Sequence, residues 1–271
     1  MGAGSNRGYA IGLARACAGA LLFSFPLVMT VEMWSIGQFI QPGRLLLFLL
    51  AGFGTLVGLA YYSGLRVGGT WRDAAFEGLT AYAAGFVTAA AAMALLNILH
   101  RDYNWRSAVG MVALQAVPAG IGAAVARKQM NATDEGNEDE DRAGYAGQLF
   151  LMGAGAVFLA FNVAPTEEML LITYDLAPWQ LGLLALVSVG VLHALVYTVG
   201  FAGQEQAGPS GGWWAFASYT LAGYGLALLL SAYVLWTFGR TDGASFALVV
   251  SMSVVLAFPA SLGAGVARLV V

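Results

Sequence analysis

Glu32 and Glu168 hold the same place in two similar strings, Thr30-Val31-Glu32-Met33 and Thr166-Glu167-Glu168-Met169, 136 positions apart. Both strings interrupt apolar sequence in a chain that is 59% hydrophobic and has only 15 acidic residues. A carboxylate in hydrocarbon costs on the order of 3 kcal/mol, so a matched pair needs an offsetting partner: a proton, a cation or an arginine. Hard cations take carboxylate, hydroxyl and carbonyl oxygen. Glu32, Glu168 and Glu167, with the hydroxyls of Thr30 and Thr166, supply the first two kinds. Four prolines could supply the third. Pro26, Pro118, Pro165 and Pro259 fall inside apolar segments, and each disturbs the carbonyl four residues earlier. The carbonyls of Leu22, Leu114, Phe161 and Val255 would then need water, a side chain or an ion. The commoner role of such a proline is a plain helix kink.

Other readings of the same residues stay open. Trp34 follows Glu32 by two positions, so Glu32 could reach water just below the interface. Arg101, Arg106 or Arg240 could pair with the glutamates as static salt bridges. Glu167 points about 100° away from Glu168 on a helix, and its counterpart is Val31. The threonine hydroxyls more often bond their own helix backbone than a ligand. His193, mid-way along an apolar segment, has Val57 as its counterpart. It could relay protons, although a lone histidine there more often bonds a neighbouring helix.

The elements that must position these residues follow from composition. Charged residues make up 10% of the chain and its mean hydropathy is +0.73, against about 25% charged in soluble domains. Apolar runs of 18 or more residues read as membrane helices. Eight are present, over roughly 9–37, 44–65, 75–99, 107–127, 147–173, 179–202, 213–238 and 244–270. The expected fold is all-α, a polytopic membrane protein of eight transmembrane helices. If 9–37 and 147–173 are continuous, both acids lie in a late turn, where the helix dipole adds to their cost. All seven tryptophans fall near proposed helix ends, as interfacial rings should.

The basic residues give the orientation. Arg7, Arg15, Arg66, Arg72, Arg127, Lys128, Arg142 and Arg268 lie on the side of the termini, and Arg44, Arg101, Arg106 and Arg240 on the other. Both termini are therefore expected in the cytoplasm. The first segment is too long for a signal peptide and resembles the fifth. Cys17 is the only cysteine, which excludes an intrachain disulfide and a cysteine metal cage.

Residues 128–146 form an acidic, solvated linker between a first four-helix repeat, 1–127, and a second, 147–271. Pro42, Leu45, Tyr61 and Gly64 match Pro178, Leu181, Tyr197 and Gly200 at the same spacing of 136. "PAGIGAAVAR" at 118–127 matches "PASLGAGVAR" at 259–268 in seven of ten positions. Four helices per half leave both halves in the same orientation, so the repeats are parallel, related by an axis along the membrane normal. That axis could bring Glu32 and Glu168 toward a common centre. The chain lacks H-E-x-x-H, G-x-S-x-G, P-loop and dinucleotide motifs, so no enzyme and no cofactor is expected. It also lacks a basic, aromatic-interleaved surface for nucleic acid.

The strings "PLVMTVEMW" and "NVAPTEEMLLI", the eight spans and the acidic linker resemble an uncharacterised bacterial family of eight-helix integral membrane proteins. That resemblance implies a bacterial inner (cytoplasmic) membrane and brings no catalytic residue with it. From the residues themselves, the expected function is a transporter or channel for a small cation, with proton coupling as a variant. The ion is left open. Its partners would be the lipid bilayer and the cation or proton, with room for a homo-oligomer. The competing expectation is a non-transporting scaffold or assembly subunit, built on Gly-rich faces and structural Glu–Arg pairs.

Overall fold

The computed structural model describes residues 3–62, 70–99, 103–129, 144–199, 213 and 216–270. Side chains are described for 10–62, 70–99, 103–126, 144–196, 213 and 216–267. Every described element is helical, and eight helices are long and apolar enough to cross a membrane. The linker expected at 128–146 falls largely outside the described residues, as does Arg101.

The chain divides into two compact units, Met1–Gly136 and Asn137–Val271. The first contains α1 (Ala3–Val28), α2 (Val31–Phe39), α3 (Pro42–Tyr62), α4 (Trp71–Leu95) and α5 (Trp105–Gln129). The second contains α6 (Tyr145–Val163), α7 (Glu167–Asp175), α8 (Pro178–Val199), α9 (Ala222–Thr237) and α10 (Phe246–Val270). A π-helical turn, Phe216–Leu221, leads into α9.

Local sequence explains the ends. Pro42 and Pro178 are the first residues of α3 and α8, where a missing N–H costs nothing. Thr70 and Asp73 cap α4 reciprocally: the Thr70 N–H donates to the Asp73 carboxylate at 2.8 Å and the Asp73 N–H to the Thr70 hydroxyl at 3.4 Å. Asn104 accepts from the Ser107 N–H at 2.8 Å and starts α5. Helices α4 and α9 stop in the same way. Asn97 and Gly239 both take positive φ, 56° and 74°. The next residue donates back to the last turn, Ile98 to Met93 at 2.8 Å and Arg240 to Leu235 at 2.9 Å.

Packing rests on small residues. In the first unit α5 lies against α1, α3 and α4; in the second, α10 lies against α6, α8 and α9. A methyl group on Gly19 of α1 would strike the Gly122 carbonyl and the Ala126 side chain of α5. In the second unit, one on Gly155 of α6 would strike the Gly263 carbonyl and Ala267 of α10. Such close backbone approach is how membrane helices gain contact where lipid competes for apolar surface. The outward faces are apolar, with Leu95, Leu186, Leu229 and Phe246 all exposed. Trp71, Trp105 and Trp179 stand exposed at helix starts, where an interfacial belt requires them.

Candidate functional site

The first T-x-E-M string sits on a break between two helices. α1 stops at Val28, and α2 begins at Val31 with Thr30 as its N-cap, at φ −97° and ψ 112°. The Thr30 hydroxyl does not cap α2; it donates back to the Pro26 carbonyl at 2.7 Å. The Thr30 N–H donates to Leu27, the Met29 N–H to Phe25 and the Trp34 indole to Val28, at 3.1, 3.1 and 2.7 Å. The last carbonyls of α1 are thus satisfied by the break itself. Apolar packing closes it: Val28, Met93, Ile98 and Met111 form one buried cluster, with Trp34 and Tyr103 against it. Gly37 brings α2 onto α5: a methyl group on Gly37 would strike Met111, and one on Gly110 would strike the Gly37 carbonyl.

The second string repeats the break with different chemistry. α6 stops at Val163, Ala164 and Pro165 turn, and Thr166 is the N-cap of α7 at φ −72° and ψ 148°. The Val163 carbonyl accepts both the Thr166 N–H, at 3.1 Å, and the Thr166 hydroxyl, at 2.8 Å. The Arg240 guanidinium, from the turn after α9, donates to the Pro165 carbonyl. α7 has nine residues, as α2 has, and two residues join each to a proline-led helix.

A family model described as "Putative integral membrane protein (DUF2391)" matches residues 12–271. The chain belongs to that family. It is therefore a multi-pass integral membrane protein, as its eight apolar helices require. No curated protein and no solved structure matches it.

In this DUF2391 chain several expectations change. The segments 9–37 and 147–173 are not continuous helices; the apolar spans end at Val28 and Val163. Glu32, Glu167 and Glu168 follow those ends and lie in the first turn of a short helix. The dipole argument therefore reverses sign. A carboxylate in a first turn is favoured by about 0.3–1 kcal/mol, whereas a late turn would have disfavoured it. Pro165 is not inside a helix but in the turn, because it cannot supply the N–H that would continue α6. Pro26, Pro118 and Pro259 do lie within α1, α5 and α10.

Glu32 is half-buried, and Glu167 and Glu168 are exposed. None of the three has a hydrogen bond or ion pair among the described residues. Arginine reaches the second break, but its described bond is to a carbonyl. Thr30 and Thr166 both donate to backbone, which leaves only their lone pairs for a ligand. Their first-turn neighbours leave backbone N–H groups without a side-chain cap.

His193 lies in the last third of α8, where its Nδ1 and the Thr220 hydroxyl share a hydrogen bond of 2.8 Å. Phe216 meets its ring edge-on and Trp213 stacks on Phe216. Thr220 belongs to the π turn, and the Tyr145 hydroxyl donates to the Ser218 carbonyl of that turn at 2.8 Å. Arg240 as a brace for the break, and Thr220 as the partner of His193, went unseen in the sequence. Each pairing joins residues 27 or more apart, with no local signal.

Proposed function

We propose that this protein is a membrane transporter or channel for a small cation, with the two acid-bearing helix breaks as its ion-handling elements. The observation that carries this reading is the recurrence of one device in both units: a span that stops, a threonine N-cap, and a carboxylate in the first turn of a nine-residue helix. Transporters commonly place ion and substrate groups at interrupted helices. Glu32 and Glu168 are the matched ligands, Glu167 an additional acid in the second unit, and Thr30 and Thr166 contribute hydroxyl lone pairs. We further propose that the two units are parallel repeats of one four-span module in a bacterial inner membrane with cytoplasmic termini. The matched Gly19–Gly122 and Gly155–Gly263 contacts favour duplication.

The test is cation flux in vesicles reconstituted with the full chain. Glu32→Gln and Glu168→Gln should each reduce flux at least about tenfold, the loss expected if a ligand worth more than about 1.4 kcal/mol goes missing. Flux equal to that of the unchanged chain in both variants sinks the assignment.

One observation favours a second reading, that of a non-transporting scaffold. Arg240 is bonded to the backbone of the second break and the first break is sealed by apolar packing, as static struts would be. Absence of flux for every small cation, with the chain folded, would leave that reading in place.

A further inference from the structure

We infer that the core of the first unit holds bound water between Thr88 and Gln115, two side chains whose counterparts in the second unit are apolar. The inference stands apart from the transport reading. Gln115 on α5 and Thr88 on α4 are 1% and 5% exposed. The Gln115 side-chain oxygen and the Thr88 hydroxyl have no hydrogen-bond partner. Thr88 departs from the habit of its neighbours. Thr80, two turns earlier in α4, donates to the carbonyl four residues back at 2.8 Å, and Thr55 in α3 does so at 2.9 Å. The hydroxyl of Thr88 is turned away from that bond, so something else must accept or donate there. An orphaned polar group inside a membrane bundle is costly, and an ordered water is its usual remedy.

The register brings the two side chains to one level. Helices α4 and α5 are antiparallel; Gly85 lies against Ala116 and Gly120, while Met93 and Met111 share a cluster. Thr88 is one turn beyond Gly85 and Gln115 one turn beyond Met111, between those two contacts. Ser24 of α1 falls in the same interval, between Gly19, which meets Gly122, and Val28, which joins Met111. Its hydroxyl donates to Ala20 at 2.7 Å and keeps its lone pairs. The three side chains offer a donor and several acceptors, enough for the two to four bonds a buried water makes. No charged side chain is buried among the described residues. Neutral ligands alone favour a neutral guest, and the apolar cluster of Val28, Met93, Ile98 and Met111 shuts it off from the first break.

The second unit differs at all three positions. Ser24 corresponds to Ala160 and Gln115 to Leu256, by the spacings of 136 and 141. Thr88 corresponds to Leu230, by the spacing of 142 that aligns Asn97 with Gly239. All three counterparts are apolar. Met111, one turn from Gln115, corresponds to Met252, and both are fully buried.

Radiolytic hydroxyl labelling of the full chain in detergent reads water bound beside a buried side chain. Met111 should be oxidised despite its burial. Gln115→Leu should abolish labelling at Met111, and Thr88→Val should reduce it. Absence of labelling at Met111, or labelling of Met111 that survives Gln115→Leu, overturns the inference. If Gln115→Leu fails to fold, Thr88→Val decides: labelling of Met111 undiminished in that variant overturns the inference.

Discussion

The two helix breaks solve one problem with different materials. Each leaves carbonyls exposed where a span stops, and each must hold a nine-residue helix against the bundle. In the first unit the Trp34 indole covers the Val28 carbonyl, and an apolar cluster with a Gly37–Gly110 contact clamps α2 to α5. In the second, the Arg240 guanidinium covers the Pro165 carbonyl. Residue by residue, Arg240 stands where the first unit has Ile98, since both follow the positive-φ residue that ends the preceding helix. A buried isoleucine there makes a dry seal. An arginine makes a polar strut, bonded to a carbonyl two residues before the exposed Glu167.

That contrast can be broken in order of expected effect. Gly110→Ala should be the most damaging single change, since its methyl would enter the Gly37 carbonyl. Overpacking of this kind costs about 1–3 kcal/mol, and backbone against backbone belongs at the upper end. Ser251, the counterpart in the second unit, already carries a side chain, so Ser251→Ala should be nearly silent. Thermal unfolding in detergent compares the two; equal shifts would refute the difference in clamping.

Arg240→Ile, which installs the first unit's residue, comes next. It leaves the Pro165 carbonyl without its charged donor, at about 1–3 kcal/mol. Arg240→Lys should recover part of that loss. If Arg240→Ile is stabilising instead, the second break tolerates a dry seal and the strut is not needed. Trp34→Phe should cost less, about 1 kcal/mol, because it removes one neutral donor while keeping most of the ring's packing.

Much of this architecture was legible in the sequence, and the parts that were not share a cause. Eight apolar runs announce eight spans, and Pro42 and Pro178 mark helix starts to within two residues. The breaks stayed hidden because Leu27, Val28 and Met29 carry hydrophobicity straight through the first. Hydropathy averages over such a short gap. A signal was present all the same: threonine followed by acid within a turn is a helix-start pattern, and Pro165 strengthens it in the second string. Reading the strings as cap and first turn, rather than as ligands within a helix, would have given the dipole its right sign. The strut at Arg240 and the pairing of His193 with Thr220 depend on tertiary contact and leave no local trace.

The threonines give the smallest and most discriminating contrast. Thr30 and Thr166 are identical in the two strings, but their hydroxyls are not equally needed. Thr30 donates to the Pro26 carbonyl four residues back, a bond its own N–H cannot replace because that N–H goes to Leu27. Thr166 donates to the Val163 carbonyl, which already accepts the Thr166 N–H. Thr30→Val should therefore cost about 1 kcal/mol, the ordinary worth of one hydrogen bond, while Thr166→Val should shift stability by only about a few tenths. If the two variants unfold at the same midpoint in detergent, the hydroxyls do not brace the breaks. Their shared presence would then need the ligand role that their lone pairs still permit.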